Sequence, residues 1–277
     1  KFVNASTADG YNSYRITREG IDWEEHDPND PWSYIGYWGD HQIIYLLKLM
    51  EQSEAYNPRK LQELLSKEIF VYANVPYRIK PYESLLNNPH VSIDFDDVAH
   101  QDAITLSEKI GSDGKLVHLP DHTLYHVNLA EKLLVQLLAK LSNFIPEAGI
   151  WMNTQRPEWN DANNALVGYG VSMVTLCYMR RHLNFCIPLC DKSSQPDFSV
   201  SEEVEHRFRD MSDALLLHQE KLKTGFSNRE RRDVLDALGT AGARYRLNIY
   251  EQGFCGRTTK ITSEDITNFL TLALGYT

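Results

Sequence analysis

From Thr123 to Phe144 the apolar residues Leu124, Val127, Leu129, Leu133, Leu134, Leu137, Leu138 and Leu141 recur at helical spacing. They form a stripe wide enough to demand cover on most of a helix surface. This segment is predicted to be a core helix, and the rest of the chain must be arranged around it. Ala165–Leu183 is apolar almost throughout (Leu166, Val167, Val171, Met173, Val174, Leu176, Met179), which predicts a second inner helix. Two other patterns are charged on one side only. Ser199–Thr224 opens with Glu202, Glu203 and Glu205, and Ser227–Ala243 carries Arg229–Arg232, Asp233 and Asp236. Both are expected to be outer helices. Shorter patterns add Ile43–Ser53, Arg59–Tyr72 behind Pro58, and Ile266–Leu274 behind Ser263-Glu264-Asp265.

Roughly eight helical patterns and no sheet are expected against a typical helix of about a dozen residues. Inner and outer types together predict an all-α fold, a two-layer α/α toroid, with residues 1–277 as a single helical domain. A complete six-hairpin ring takes about twelve helices, two to a hairpin. The toroid is therefore expected to be incomplete, and the chain, which opens on Lys1 rather than Met, is expected to be part of a longer protein.

A formal charge of −10 argues against a nucleic-acid partner, which calls for a basic face. No run reaches the ~20 apolar residues of a membrane span, and no signal peptide is present, so the expected setting is the cytoplasm. Asn4-Ala5-Ser6 is a formal glycosylation sequon with nothing else indicating secretion. Cys177, Cys186, Cys190 and Cys255 are expected as buried free thiols rather than a disulfide framework. Three segments were weighed as cation sites: Asp27-Pro28-Asn29-Asp30-Pro31, the cluster Asp94, Asp96, Asp97, His100 and Asp102, and the histidines 118, 122 and 126. Each is better read otherwise, the second as a capped, solvated helix start and the third as a helix broken at Pro120, with Asp121 as its N-cap. No metal and no organic cofactor is expected.

The chemistry concentrates in Trp151–Tyr169. Arg156, Glu158, Trp159, Asn160 and Asp161 sit there among further amides, between two predicted helices. Indole rings can cover the C–H faces of a sugar while amides and acids bond its hydroxyls. The alternative is a solvated loop in which Asn and Asp close turns and cap helices. A second aromatic run, Trp32–His41, ends in Trp38, Asp40 and His41. Asp40 reads first as the N-cap of the helix behind it, and otherwise as a group that joins Asp161 in one cavity with His41. Arg244–Arg257 is predicted to be a short strand turning on glycines; it offers Glu251 as a general base and Arg257 as an anion ligand.

Glu158-Trp159-Asn160-Asp161 resembles the Asp-Trp-Asn-Asp motif of the cellobiose and chitobiose phosphorylases, members of the wider set of (α/α)6-barrel glycoside hydrolases and phosphorylases. The first position departs, with Glu for Asp. The resemblance implies a barrel of helices and a carbohydrate-active enzyme that cleaves glycosidic bonds. It puts the general acid on Asp161, whose carboxyl would have to be raised by burial beside Trp159.

Two subclasses stay open. An inverting hydrolase needs a second carboxylate about 6.5–9.5 Å away, for which Glu251 comes first and Asp40 second. A phosphorylase takes inorganic phosphate as co-substrate, with Arg156, His41 and Arg257 as ligands. Trp38, Glu158, Trp159 and Asn160 would grip an oligosaccharide or glycoside in either case. From another class, a non-catalytic helical module binding carbohydrate or a protein partner would keep the aromatics and tolerate loss of Asp161. Oligomeric state is not legible.

Overall fold

The computed structural model describes residues 3–11, 15–18, 20–23, 29, 41–154 and 165–277. Most described residues are helical, with α1 His41–Tyr56, α2 Pro58–Leu64, α3 Tyr82–Asn87, α4 Asp97–Ile110 and α5 Leu129–Leu141 in the first half. The second half holds α6 Met173–Asp191, α7 Glu202–Leu217, α8 Lys221–Thr224, α9 Asn228–Glu251 and α10 Ser263–Tyr276. No helix among the described residues is long and apolar enough to cross a membrane.

Contrary to the expectation of no sheet, four small antiparallel sheets among the described residues tie the helices. β1 (Arg15–Thr17) pairs with β2 (Gly20–Asp22), and β3 (Tyr77–Ile79) with β4 (Ile93–Phe95). β6 (Gly149–Trp151) lies between β5 (Phe144–Ile145) and β7 (Val171–Ser172). The longest ladder joins β8 (Asp197–Ser201) to β9 (Thr258–Thr262), with Ser201 opposite Thr258. These strands are too short to show as periodicity in a sequence. They serve as brackets: each of β7, β8 and β9 ends in a hydroxyl residue that caps the helix following it. Ser172 accepts from Thr175 N, Ser201 from Val204 N and Thr262 from Asp265 N.

The core is centred on α5, in which all thirteen residues are buried. The apolar stripe is thus where the sequence placed it, but the helix begins at Leu129 rather than Thr123. Val127 bridges to Phe70 and Leu124 to His118 in extended backbone, and Asn128 caps α5 by accepting from Glu131 N at 2.9 Å. Asp121 caps no helix; it accepts from the backbone and hydroxyl of Thr123, closing a turn in which His122 has φ 66°. The acidic cluster behaves as a helix start, Asp96 accepting from Ala99 N at 2.9 Å at the head of α4.

Other expectations are corrected. The segment 59–72 is helical only to Leu64. Helix α6 begins at Met173, not Ala165, and buries one stripe (Thr175, Met179, His182, Leu183, Cys186, Leu189, Cys190) while Met173 and Val174 are exposed. It also runs through Pro188, because burial of Cys186, Leu189 and Cys190 in its last turns offsets the hydrogen bond that proline removes. Cys186 and Cys190 are buried free thiols, but Cys177 and Cys255 are exposed. Helices α7 and α9 are not simply outer helices: they pack on each other and bury Arg207 and Arg246 between them and the core.

In the opening segment Ala5, Ser6, Thr7, Asp9 and Tyr11 are buried. Gly10 makes this possible. Its φ is +78°, and a Cβ there would stand 2.5 Å from the carbonyl oxygen of Val135 in α5. A side chain is excluded both by conformation and by contact with rigid backbone. Gly10→Ala is therefore expected to cost about 2–4 kcal/mol, read as a lowered urea midpoint at unchanged slope. A variant as stable as the parent would mean that the segment does not pack on α5.

Candidate functional site

The residues expected to carry chemistry divide into two groups. Trp38, Asp40, Arg156, Glu158, Trp159, Asn160 and Asp161 lie outside the described residues, as does the side chain of His41, whose backbone opens α1. Glu251 and Arg257 are described. Arg244–Glu251 is not a strand but the end of the 24-residue helix α9, whose buried positions Val234, Leu238, Ala241, Tyr245 and Arg246 keep helical spacing to the end. The aromatic and β-branched residues of 245–250 imitate a strand only when the helix before them is ignored. The expected glycine turn does follow, with Gly253 at φ 70° and Gly256 at φ 77°.

Glu251 is the last residue of α9 and is exposed, while its neighbours Ile249 and Tyr250 line a cleft. Arg257 lines a different space, a groove of about 430 Å³ in the crease between α7 and α9. Two ion pairs span this groove, Arg257 to Glu202 at 2.8 Å and Arg244 to Asp210 at 2.7 Å. Arg257 holds the partly buried Glu202 carboxyl below its usual range. Its guanidinium is thus engaged by a carboxylate of the chain itself. The structure does not bring Glu251 and Arg257 to one cavity wall.

Under the groove lies a buried polar network that the sequence reading did not single out. Asp9 Oδ2 accepts from the Tyr250 hydroxyl at 2.7 Å, and Asp9 Oδ1 from Thr7 Oγ1 at 2.6 Å and Tyr11 N at 3.0 Å. The Tyr11 hydroxyl donates to Asn143 Oδ1 at 3.1 Å, and the same oxygen accepts from Asn153 Nδ2 at 2.6 Å. Arg246 and Lys140 approach the Tyr11 ring at 5.2 and 5.9 Å. Arg207 lies over the Tyr245 ring at 4.6 Å and donates to Ser142 Oγ at 2.9 Å. Loss of hydration brings its guanidinium down to about 10. The one visible hint of this network was Glu131, Lys132, Gln136 and Lys140 interrupting the apolar stripe of α5.

This network ends at Asn153 and Thr154, the two residues before 155–164. Both are buried, and Asn153 Oδ1 and Thr154 Oγ1 have no hydrogen-bond partner among the described residues. The same holds for both amide atoms of Gln42, in the first turn of α1 just behind residues 30–40, and of Gln136 in α5. A buried polar atom without a partner costs about 1–3 kcal/mol unless water or a ligand supplies one. The two chemistry-bearing segments are thus each joined to buried amides or hydroxyls with unused hydrogen-bonding capacity.

No protein-family model matches the chain, and no curated protein matches it in sequence.

At the other end of α5, Glu131 accepts from the Tyr72 hydroxyl at 3.0 Å and Ser201 N at 2.8 Å, beside Lys132, which donates to Val71 O at 2.6 Å. Burial dominates and raises the Glu131 carboxyl to about 7, while the hydrogen bonds and Lys132 oppose it. A carboxyl raised on folding stabilises fully below its unfolded value and loses that contribution as pH climbs through the folded one. Relative to Glu131→Gln, the parent is expected to lose roughly 3 kcal/mol between pH 4.5 and 8. Parallel stability–pH curves for the two proteins would refute the assignment.

Proposed function

We propose that the chain is a helical catalytic domain, built as all or part of an α/α toroid, that cleaves glycosidic bonds with Asp161 as general acid. The observation that carries this reading is the run Glu158-Trp159-Asn160-Asp161, set four residues behind a buried pair, Asn153 and Thr154, whose side-chain oxygens lack partners among the described residues. An indole beside an acid gives a sugar ring an apolar face and a proton donor at once. Amide and hydroxyl groups with open positions suit hydroxyl-rich ligands, which both donate and accept.

In this reading Arg156, Glu158, Trp159, Asn160 and Trp38 hold an oligosaccharide or glycoside. Asp40 supplies the second carboxylate with better support than Glu251, because Asp40 adjoins Gln42 in sequence while Glu251 is exposed at a helix end. If phosphate is the attacking group, Arg156 and His41 are the better ligands, since Arg257 is already paired with Glu202. The exposed thiols of Cys177 and Cys255 fit a reducing cytoplasmic setting.

The test is sugar release from a panel of glycosides, with and without inorganic phosphate, by the parent and by Asp161→Asn. Loss of the acid is expected to lower turnover about 10²–10⁴-fold while ligand affinity stays within about twofold. A turnover that needs phosphate would identify a phosphorylase. A parent protein that binds sugar but releases none under either condition would leave a carbohydrate-binding module instead.

A further inference from the structure

A cleft of about 200 Å³ opens where residues 7–9, the connection 73–78 and the last turn of α9 meet. Its floor is Asp9, buried and held by Thr7, Tyr11 and Tyr250 as described above. One wall is Arg78, whose guanidinium lies 5.0 Å over the Tyr250 ring. Arg78 Nε donates to Asp96 at 3.3 Å and Nη1 to Val75 O at 2.9 Å, which leaves Nη2 as the donor still to be used. Opposite it stands His118. Its Nδ1 is 2.9 Å from Leu116 O, and a carbonyl only accepts, so the proton sits on Nδ1 and Nε2 presents a lone pair. Asn74 adds a carboxamide, and Tyr77 and Phe254 add aromatic surface.

The cleft thus offers donors (Arg78 Nη2, Asn74 Nδ2), acceptors (His118 Nε2, Asn74 Oδ1) and flat apolar rings in one small volume. Charge narrows the occupant. The Asp9 carboxylate on the floor opposes a phosphate or carboxylate, and the Arg78 guanidinium on the wall opposes an ammonium. What remains is a neutral group that donates, accepts and stacks. The volume equals roughly seven waters at about 30 Å³ each, the scale of one pyranose ring with its hydroxyls.

We propose that this cleft, lined by described residues alone, binds a single neutral sugar or polyol unit. The proposal rests on the cleft's own residues and stands whether or not the chain cleaves glycosides. Small, half-open polar sites of this kind bind at millimolar concentrations, and the expected dissociation constant is on the order of 1–10 mM.

The experiment is hydrogen-exchange mass spectrometry on the full chain with D-glucose, D-galactose, D-mannose or inorganic phosphate, each at about 50 mM, several times the expected constant. At least one sugar is expected to slow exchange in peptides covering 73–78 and 116–118, and phosphate is not. Asn74→Leu, which fills the cleft, and His118→Phe, which keeps a ring but removes the acceptor, are each expected to abolish that protection without changing the melting temperature. Should one variant fail to fold, the other carries the test. Asp161→Asn is expected to keep the protection even as it stops sugar release, so failure of the catalytic reading and failure of this one are told apart. No protection with any sugar, protection by phosphate instead, or protection that persists in the folded variants would overturn the proposal.

Discussion

A helix buried on every side cannot carry charge without dictating what surrounds it. Helix α5 carries Glu131, Lys132, Gln136 and Lys140 into the interior, and the neighbouring elements are placed so as to answer them. Lys132 donates to Val71 O and lies 3.8 Å over the Tyr72 ring, which fixes the backbone just before residues 73–78. Glu131 takes one bond from that same tyrosine and another from Ser201 N, at the junction of β8 and α7. The charged pair therefore sets the distance between the first third of the chain and the last. At the far end Gly10 lets residues 5–11 lie flat on α5, and Tyr11 reaches Asn143 just past the helix. Replacing such groups by apolar ones of like volume can leave stability unchanged, so their consequence here is which elements meet.

The legible part of this fold was the part encoded in long periodicity. The stripe of α5 is 13 residues of uninterrupted burial, and no other arrangement satisfies it. Helices α7 and α9 announced themselves through caps as well, Ser201 and Ser227 with Glu230 accepting from first-turn amides, whereas α10 is capped by Thr262 and already includes the Ser263-Glu264-Asp265 expected to cap it. Illegible were the two- to five-residue strands, whose pairing partners lie as far apart as Ser201 and Thr258. Local propensity cannot report a contact of that span. Illegible too was the inward turn of Arg207 and Arg246, since a surface arginine and a buried one read alike in one sequence. Cation–aromatic contacts with Tyr245 and Tyr11 make their burial tolerable, and those rings come from other turns and elements.

The site was legible as composition and not as geometry. Trp151–Tyr169 and Trp32–His41 stood out by density of indoles, amides and acids, and most of those residues lie outside the described ones. Of the two candidates that are described, Glu251 and Arg257, each was chosen for residue type near a glycine turn. Residue type does not tell which way a helix end faces, and Glu251 faces solvent at the end of α9.

An acid that donates its proton near neutral pH needs surroundings that penalise its charge, and the described carboxylates bracket what this chain can do. Glu202, only partly buried and bonded by Arg257, is held low; Glu131, wholly buried, is raised to about 7 despite two hydrogen bonds and an adjacent lysine. The difference is made by desolvation, which in this interior outweighs favourable contacts that elsewhere would dominate. The interior mixes that low polarity with amide and hydroxyl groups that lack partners among the described residues, at Gln42, Gln136, Asn153 and Thr154. A carboxyl buried in such a place would be pushed upward by desolvation as Glu131 is. Low polarity is what the general-acid role proposed for Asp161 would need, and it is the opposite of the environment at Arg257.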